Sequence, residues 1–495
     1  LHTVTSPLDQ RLQAELAKLR AADLYRVRRA VSGGHGAAIV VDGRACVNFC
    51  SNDYLGLAAD PRVARAAQAA LERSGTGSGA AALVSGYNAE HRALEEELAD
   101  FLGLPRALLF ATGWAANIGV LRALLGRDDI LIADELNHAS LIDGGRLSGA
   151  HYLRVAHRDL EGFERALAAW APDAEHSPPT PHESGRGTRG AVSAAAALSA
   201  QQVLLATDSV FSMDGDIADV PALLEMTRRH GAALMVDDAH GFGVLGPHGR
   251  GILEHFGFDG GTGVPSAAAA MSGAIAADGS RVPDPQPRTP GSASPDPRRS
   301  KGGSPVPDVY VATLGKSLGA AGAFVAGSDS LIEYLIQRAR SWVFSTAPPP
   351  AIAAAARAAL RIVRDEPERR ARLHENIARF RKGLDELDLP FSPAAPDPAA
   401  AKLCAPTARV ANSECRSPAS ATPIQPLILG EAARALEVSR RLYERGYWVA
   451  AIRPPTVPRG TSRLRITLSA AHTPQQIDGL LSALHEACAA VAMAE

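Results

Sequence analysis

Lysine is scarce in this 495-residue chain. Lysine and arginine together number 51, yet only five are lysines, at positions 18, 301, 316, 382 and 402. The basic residues are scattered and the net charge is −2, which leaves no electrostatic footprint for nucleic acid. Cysteine is sparse as well. The five cysteines (46, 50, 404, 415 and 488) form no CxxC pair and are odd in number, which argues against a disulfide framework or a zinc site and for a reducing, cytoplasmic setting. No apolar run approaches the ~20 residues of a membrane span. The opening stretch "LHTVTSPLDQRLQAELAKLR" has no apolar h-region, so neither a secretory signal nor a membrane partner is expected.

What is present is a regular alternation. Residues 8–29 read as a charged amphipathic helix and "AAIVVDGRACVNFCS" as a hairpin. Helical patterns come next at 61–74 and 90–102, and another opens at Gly113. Short, apolar, β-rich runs recur at 107–111, 130–133, 203–207, 232–236, 309–312 and 323–326. Buried strands alternating with helices predict an α/β fold with a mainly parallel sheet covered on both faces. Two long helices come after Pro348–Pro350, and the tail (424–429, 431–446, 448–452, 463–468, 473–490) reads β-α-β-β-α. The expected division is 1–55 as an N-terminal helix and hairpin, 56–345 as a large domain and 346–495 as a small C-terminal α/β domain. About 172–200, 260–306 and 391–422 are rich in Pro, Ser, Ala and Gly without periodicity and read as flexible insertions.

Two nucleotide signatures fail on inspection. "LGKS" ends like a P-loop, but Tyr310 stands where the first glycine is needed. "GFGVLG" (241–246) fits GxGxxG, but "PHGRGILEHFG" behind it is a poor helix opening, with no acidic residue ending a second strand about 20 positions on.

A better reading takes several strand ends together. In an open parallel sheet, ligands collect beyond the carboxyl ends of the strands. That crevice receives "TGWAAN" (112–117), "NHASL" (137–141), "DSVFSMDGD" (208–216), "VDDAHG" (236–241) and "TLGKS" (313–317). A helix N-terminus there suits a phosphate. Lys316 is the one lysine set in an apolar, Gly-rich segment. Burial would depress its pKa and free its amine to attack an aldehyde, while a neighbouring acid could keep a heterocyclic nitrogen protonated. Phosphate, aldehyde and pyridine nitrogen describe pyridoxal 5'-phosphate (PLP).

The chain resembles the α-oxoamine synthases, fold-type I pyridoxal-phosphate enzymes. The marks are "FCSNDYLGL", "ATGWAAN", "NHASL", "VFSMDGD", "MVDDAHGFGVLG", "TLGKSLGAAGAF", "FSTAPPP", "IQPLILG" and "AIRPPTVPRGTSRLRITLSAAHT". They run in family order across nearly the whole chain apart from the insertions. The resemblance implies an aspartate aminotransferase-like fold with a seven-stranded, mainly parallel sheet, and a homodimer with its active site at the subunit interface. It also implies PLP-dependent, decarboxylative joining of an amino acid to an acyl thioester. "IQPLILG" and "AIRPPTVP" favour L-alanine with pimeloyl-CoA or a pimeloyl carrier protein. Sister branches use glycine or serine with other acyl thioesters. From a different class, a catalytically silent scaffold is opposed by the intact Lys316, Asp237 and His240.

Carried over by resemblance, Lys316 is the lysine that holds the cofactor and removes the Cα proton. Asp237 pairs with the pyridinium nitrogen, His240 with the phenolic oxygen, and His138 stacks over the ring and borders the substrate. Gly113 and Trp114 offer helix-start amides. Ser212 and Thr313 bond the phenolate and phosphate, and Thr346 is lent to the phosphate by the other subunit. Arg465 clamps the amino acid's carboxylate, Asn52 lies near the substrate, and Arg26 and Thr456 meet the pimeloyl portion. Asp238 and Arg463 are expected to be structural. One departure stands out: residues 80–82 are all alanine, where relatives often carry a polar or basic residue.

Overall fold

Six of the seven strands of the main sheet carry runs of valine, leucine, isoleucine, alanine and phenylalanine, buried on both faces. Val203–Asp208 and Ile130–Asp134, for example, are buried at every position. Such runs have no polar face to turn to water, so helices must cover both sides. The computed structural model describes residues 6–170, 201–258, 306–387, 389 and 420–494. In chain order its strands are β1 (Val31–Ser32), β2 (Ala38–Val41), β3 (Arg44–Asn48), β4 (Arg106–Phe110), β5 (Ile130–Asp134), β6 (His151–Val155) and β7 (Val203–Asp208). They continue with β8 (Ala233–Asp237), β9 (Val309–Thr313), β10 (Ala323–Gly327), β11 (Ile424–Gly430), β12 (Tyr447–Trp448), β13 (Ala450–Ile452) and β14 (Ser462–Thr467).

The seven-stranded sheet has the order β4-β10-β9-β8-β7-β5-β6. Only β10 runs antiparallel, against both β4 and β9. The α/β class and mainly parallel sheet are therefore as expected. The strand the residue pattern does not reveal is β6, an edge strand whose half-exposed "HYLRV" lacks the apolar signature. Because the other strands run parallel, Asp134, Asp208, Asp237 and Thr313 all lie at one edge of the sheet. Asp208 and Asp237 are register partners.

Towards the C-terminus β11, β14 and β13 form an antiparallel sheet. The stretch 448–452, expected as one strand, is two. β12 pairs parallel with β3, extending the β1-β2-β3 sheet, whereas β13 pairs with β14. The chain changes sheets at Val449, whose carbonyl accepts a hydrogen bond from the Ser439 hydroxyl. The C-terminal residues also pin the stretch 49–54. Thr467 N donates to Phe49 O, Ala470 N to Tyr54 O, and Ser469 Oγ to Asp53 O. This places Asn52 and Tyr54 where they reach the edge of the main sheet.

Three expectations need correction. The first helix ends at Ala21, not near residue 29. Its C-cap, Ala22, gives way to Asp23 at a left-handed φ of 56°, so Arg26 lies on an extended segment and not on a helix. Most of the three insertion segments falls outside the described residues, but their assigned edges reach too far. Val306 is buried before β9, and Ser420 and Thr422 are buried before β11. Both hydroxyls donate to the Gly215 carbonyl, and those bonds fix the segment. No helix among the described residues is long and apolar enough to cross a membrane.

Candidate active site

The helix Gly113–Leu124 begins just past β4, with Thr112 as N-cap, its side-chain oxygen accepting from the Ala115 N–H. The amides of Gly113 and Trp114 have no acceptor within their own helix. One turn on, Asn117 is buried and donates from Nδ2 to Asp237 Oδ2 at 2.7 Å and to Ser140 Oγ at 2.8 Å. Asp237, at the end of β8, takes a second hydrogen bond on Oδ1 from the Ala239 amide. A carboxylate held this way is oriented before any ligand arrives.

Gly113, Trp114, Asn117, His138, Ser140, Asp208, Ser212, Asp237, His240, Thr313 and Lys316 all line one cavity of about 190 Å³. Lys316 leaves the turn after β9, and its Nζ lies 2.8 Å from His240 Nε2. Burial lowers the Lys316 pKa to about 8, against the pull of Asp237 and Asp208. His240 is pushed well below its ordinary value by burial, with Lys316 and Arg465 adding to the effect. His138 caps the helix Ala139–Ser148, with Nδ1 at 2.7 Å from Ser140 Oγ. Burial lowers its pKa too, so its imidazole is neutral at pH 7. Trp114 meets it edge-on at 6.2 Å between ring centroids.

The substrate side comes from β14 and the stretch 49–54. Arg465 Nε donates to Ser212 O at 2.6 Å, and its Nη1 donates to Asn52 Oδ1 and Thr467 Oγ1. Ser212, Asn52 and Arg465 are thus brought together beside Lys316. Arg463 turns instead to Asp214. Asp238 accepts from Ser209 Oγ, Tyr310 Oη and the Ile252 amide, tying the loop rather than lining the cavity. Thr313 Oγ1 donates to Gly322 O and accepts from the Gly315 amide.

Two groups of expected residues stand apart from the cavity. Arg26 Nη2 donates to Thr456 Oγ1 at 3.4 Å on the surface, so those two meet each other. Thr346 is exposed, pairs with Ala81 in an isolated bridge, and lines a separate small crevice with Ala82 and Tyr87. Conversely, Asn117, Asp208 and Tyr54 belong to the site although nothing about them singly marked them out. All three lie inside quoted stretches, Asp208 as the first residue of "DSVFSMDGD" at the end of a buried strand. Asp208 Oδ2 accepts from the His138 amide, and burial together with Asp237 raises its pKa well above the ordinary value.

Residues 44–484 match the family model of aminotransferases class I and II. The chain is 47% identical over 477 residues to an 8-amino-7-oxononanoate synthase of Methylococcus capsulatus, covering 95% of this chain and 97% of that one. It is 44% identical over 478 residues to the same enzyme of Alkalilimnicola ehrlichii, covering 96% and 97%. Among solved structures, a serine palmitoyltransferase of S. paucimobilis with a bound PLP–myriocin adduct superposes with a TM-score of 0.74 at 24% identity, covering 99% of this chain and all of that one. An 8-amino-7-oxononanoate synthase of Francisella tularensis superposes at 0.60 with 25% identity, covering 89% and 97%. The cavity at the strand ends is therefore set in the fold of the PLP-dependent transferases, and the chain belongs to the class I and II aminotransferase family, within it to the 8-amino-7-oxononanoate synthases.

Proposed function

We propose that the protein joins the Cα of L-alanine to the acyl carbon of a pimeloyl thioester, releasing CO2 and the free thiol and yielding 8-amino-7-oxononanoate. The observation that carries the reading is the convergence of Lys316, His240 and Asp237 in one cavity at the carboxyl ends of β8 and β9.

The cavity suits PLP. Asn117 Oδ1 and Asp208 Oδ1, on two of its lining residues, are buried without a hydrogen-bond partner, and a Cβ added at Gly113 would meet nothing within 4 Å. Lys316 would hold the cofactor, Asp237 its ring nitrogen, and Ser212 with His240 its phenolic oxygen. The Gly113 and Trp114 amides and the Thr313 hydroxyl would serve the phosphate. When bound, PLP supplies an aldehyde for amine capture and a protonated ring that takes up the electron pair left at Cα.

The protein's own groups do the rest. Arg465 is already held at Nε and Nη1, so its outer nitrogen, Nη2, is directed for a charge-assisted hydrogen bond to the alanine carboxylate. Lys316 Nζ, with its pKa lowered to about 8, is a base of suitable strength to take the Cα proton and later return one. The neutral His138 ring can lie over a cationic pyridine without charge repulsion. Arg26 and Thr456 are assigned to the distal end of the acyl chain.

A second copy of the chain is part of this reading. Thr346 would serve the phosphate in its partner's cavity. Next to it, Leu83, Val84 and Phe344 are 56, 80 and 70% exposed, a cluster suited to burial between subunits. Rates with alanine, glycine or serine, each offered with short and long acyl-CoAs and with pimeloyl carrier protein, test the reading. Alanine with a pimeloyl thioester is expected to be fastest by far, and a preference for glycine or serine would assign a sister activity instead.

A further inference from the structure

We propose that Tyr54 is a positioning residue: its phenol fixes His240 as the tautomer protonated on Nε2, and so shifts the Lys316 amine opposite it toward its neutral form. The inference rests on Lys316 being the cofactor lysine, and it concerns where protons sit before the cofactor is attached.

Tyr54 is fully buried. Its Oη lies 2.5 Å from His240 Nδ1 and 3.3 Å from Asn52 Oδ1, and Asn52 Oδ1 already accepts from Arg465 at 3.1 Å. A phenol has one proton to give, and the short contact to Nδ1 takes it. Burial pushes the Tyr54 pKa up to about 12, so the proton is present throughout the working range. Burial also holds His240 neutral, so one ring nitrogen carries no hydrogen. With Nδ1 accepting from Tyr54, that bare nitrogen is Nδ1, and the remaining hydrogen is on Nε2.

The consequence falls on Lys316. Across 2.8 Å, an Nε2–H needs a lone pair, which the neutral amine has and the ammonium lacks. The other titratable groups facing Lys316 are Asp208 and Asp237 at the strand ends, Asp238 behind them, Arg465 and the neutral His138. The three carboxylates favour the ammonium, whereas burial and Arg465 oppose it. Tyr54 adds a directional element to that balance. Because its carbonyl accepts from the Ala470 amide, the C-terminal unit that carries Arg465 also sets the phenol.

The test uses the full-length chain freed of PLP. Lys316 is labelled with limiting acetic anhydride across a pH series and quantified by peptide mass, with folding checked by circular dichroism. In Tyr54→Phe, His240 is free to offer a bare Nε2 to the ammonium. Labelling of Lys316 near pH 7 is expected to fall at least about threefold, as its titration moves to higher pH by roughly half a unit or more. Equal or greater labelling in the folded variant overturns the proposal. Independently of any variant, 15N-histidine spectra of the wild-type apoprotein are expected to show His240 protonated on Nε2, and a proton on Nδ1 overturns it equally. Neither readout involves turnover, so a failure of the proposed condensation would leave this result standing, and the reverse holds too.

Discussion

Asn117, one turn into the helix Gly113–Leu124, donates to Asp237 Oδ2 across 2.7 Å. One helix thus presents free amides at its start and, four residues on, orients the carboxylate meant for a ring nitrogen. Removing the Asp237 charge should cost the most. Asp237→Asn is expected to lower kcat by at least about two orders of magnitude, the scale for loss of a preorganised electrostatic partner. Asn117→Leu keeps the charge but loses a hydrogen bond to it, worth about 1.5–3 kcal/mol. Its kcat is therefore expected to fall roughly ten- to a hundredfold. Steady-state kinetics of the two variants check this ordering.

Arg465 has three of its donor contacts committed to Ser212 O, Asn52 and Thr467, which leaves the outer nitrogen to meet a carboxylate in a set direction. Arg465→Gln should raise KM for L-alanine by at least roughly tenfold, from loss of charge-assisted hydrogen bonds of about 1.5–3 kcal/mol each. KM for the acyl thioester should change far less. Separate titrations of the two substrates read the difference, and equal changes in both constants would count against the assignment.

His157 sits between two carboxylates. Nδ1 is 3.1 Å from Asp134 Oδ1, Nε2 is 2.9 Å from Asp216 Oδ2, and Phe211 packs edge-on against the ring. Burial disfavours its charge, but its hydrogen bonds to Asp134 and Asp216 prevail and hold its pKa up at about 9. The folded value lies above the ordinary one, so this stabilisation is complete below pH ~6.5 and is lost as pH rises through about 9. The Tm gap between wild type and His157→Gln is accordingly expected to be widest near pH 6, to shrink as pH rises from ~6.5, and to be nearly gone above pH ~9. A gap that stays constant or widens with pH would show that the clamp does not depend on the charged imidazole.

Much of this molecule was legible from residue pattern, for identifiable reasons. Strands buried on both faces declare themselves as unbroken apolar runs, and Lys316 was conspicuous because lysine is otherwise so rare. Asp237 and His240 were legible only as parts of motifs, since a carboxylate or imidazole taken singly has many structural uses, as Asp238 and His157 illustrate. What escaped notice depends on distant parts of the chain. β6 is held by pairing with β5 despite its polar face. β12 and β13 part company because β3 and β14 each claim one of them. Tyr54 matters only because the C-terminal segment holds it beside His240. The Ser420 and Thr422 hydroxyls serve a carbonyl some 200 positions earlier in the chain, a relation with no local periodicity to betray it.

The most direct test of the account is chemical. The purified chain is incubated with PLP, reduced with borohydride, digested and mapped by mass. The expected result is a single phosphopyridoxyl group on the peptide containing Lys316, absent from Lys316→Ala. Labelling of another lysine, or no labelling at all, would contradict the assignment of Lys316 and the chemistry built on it.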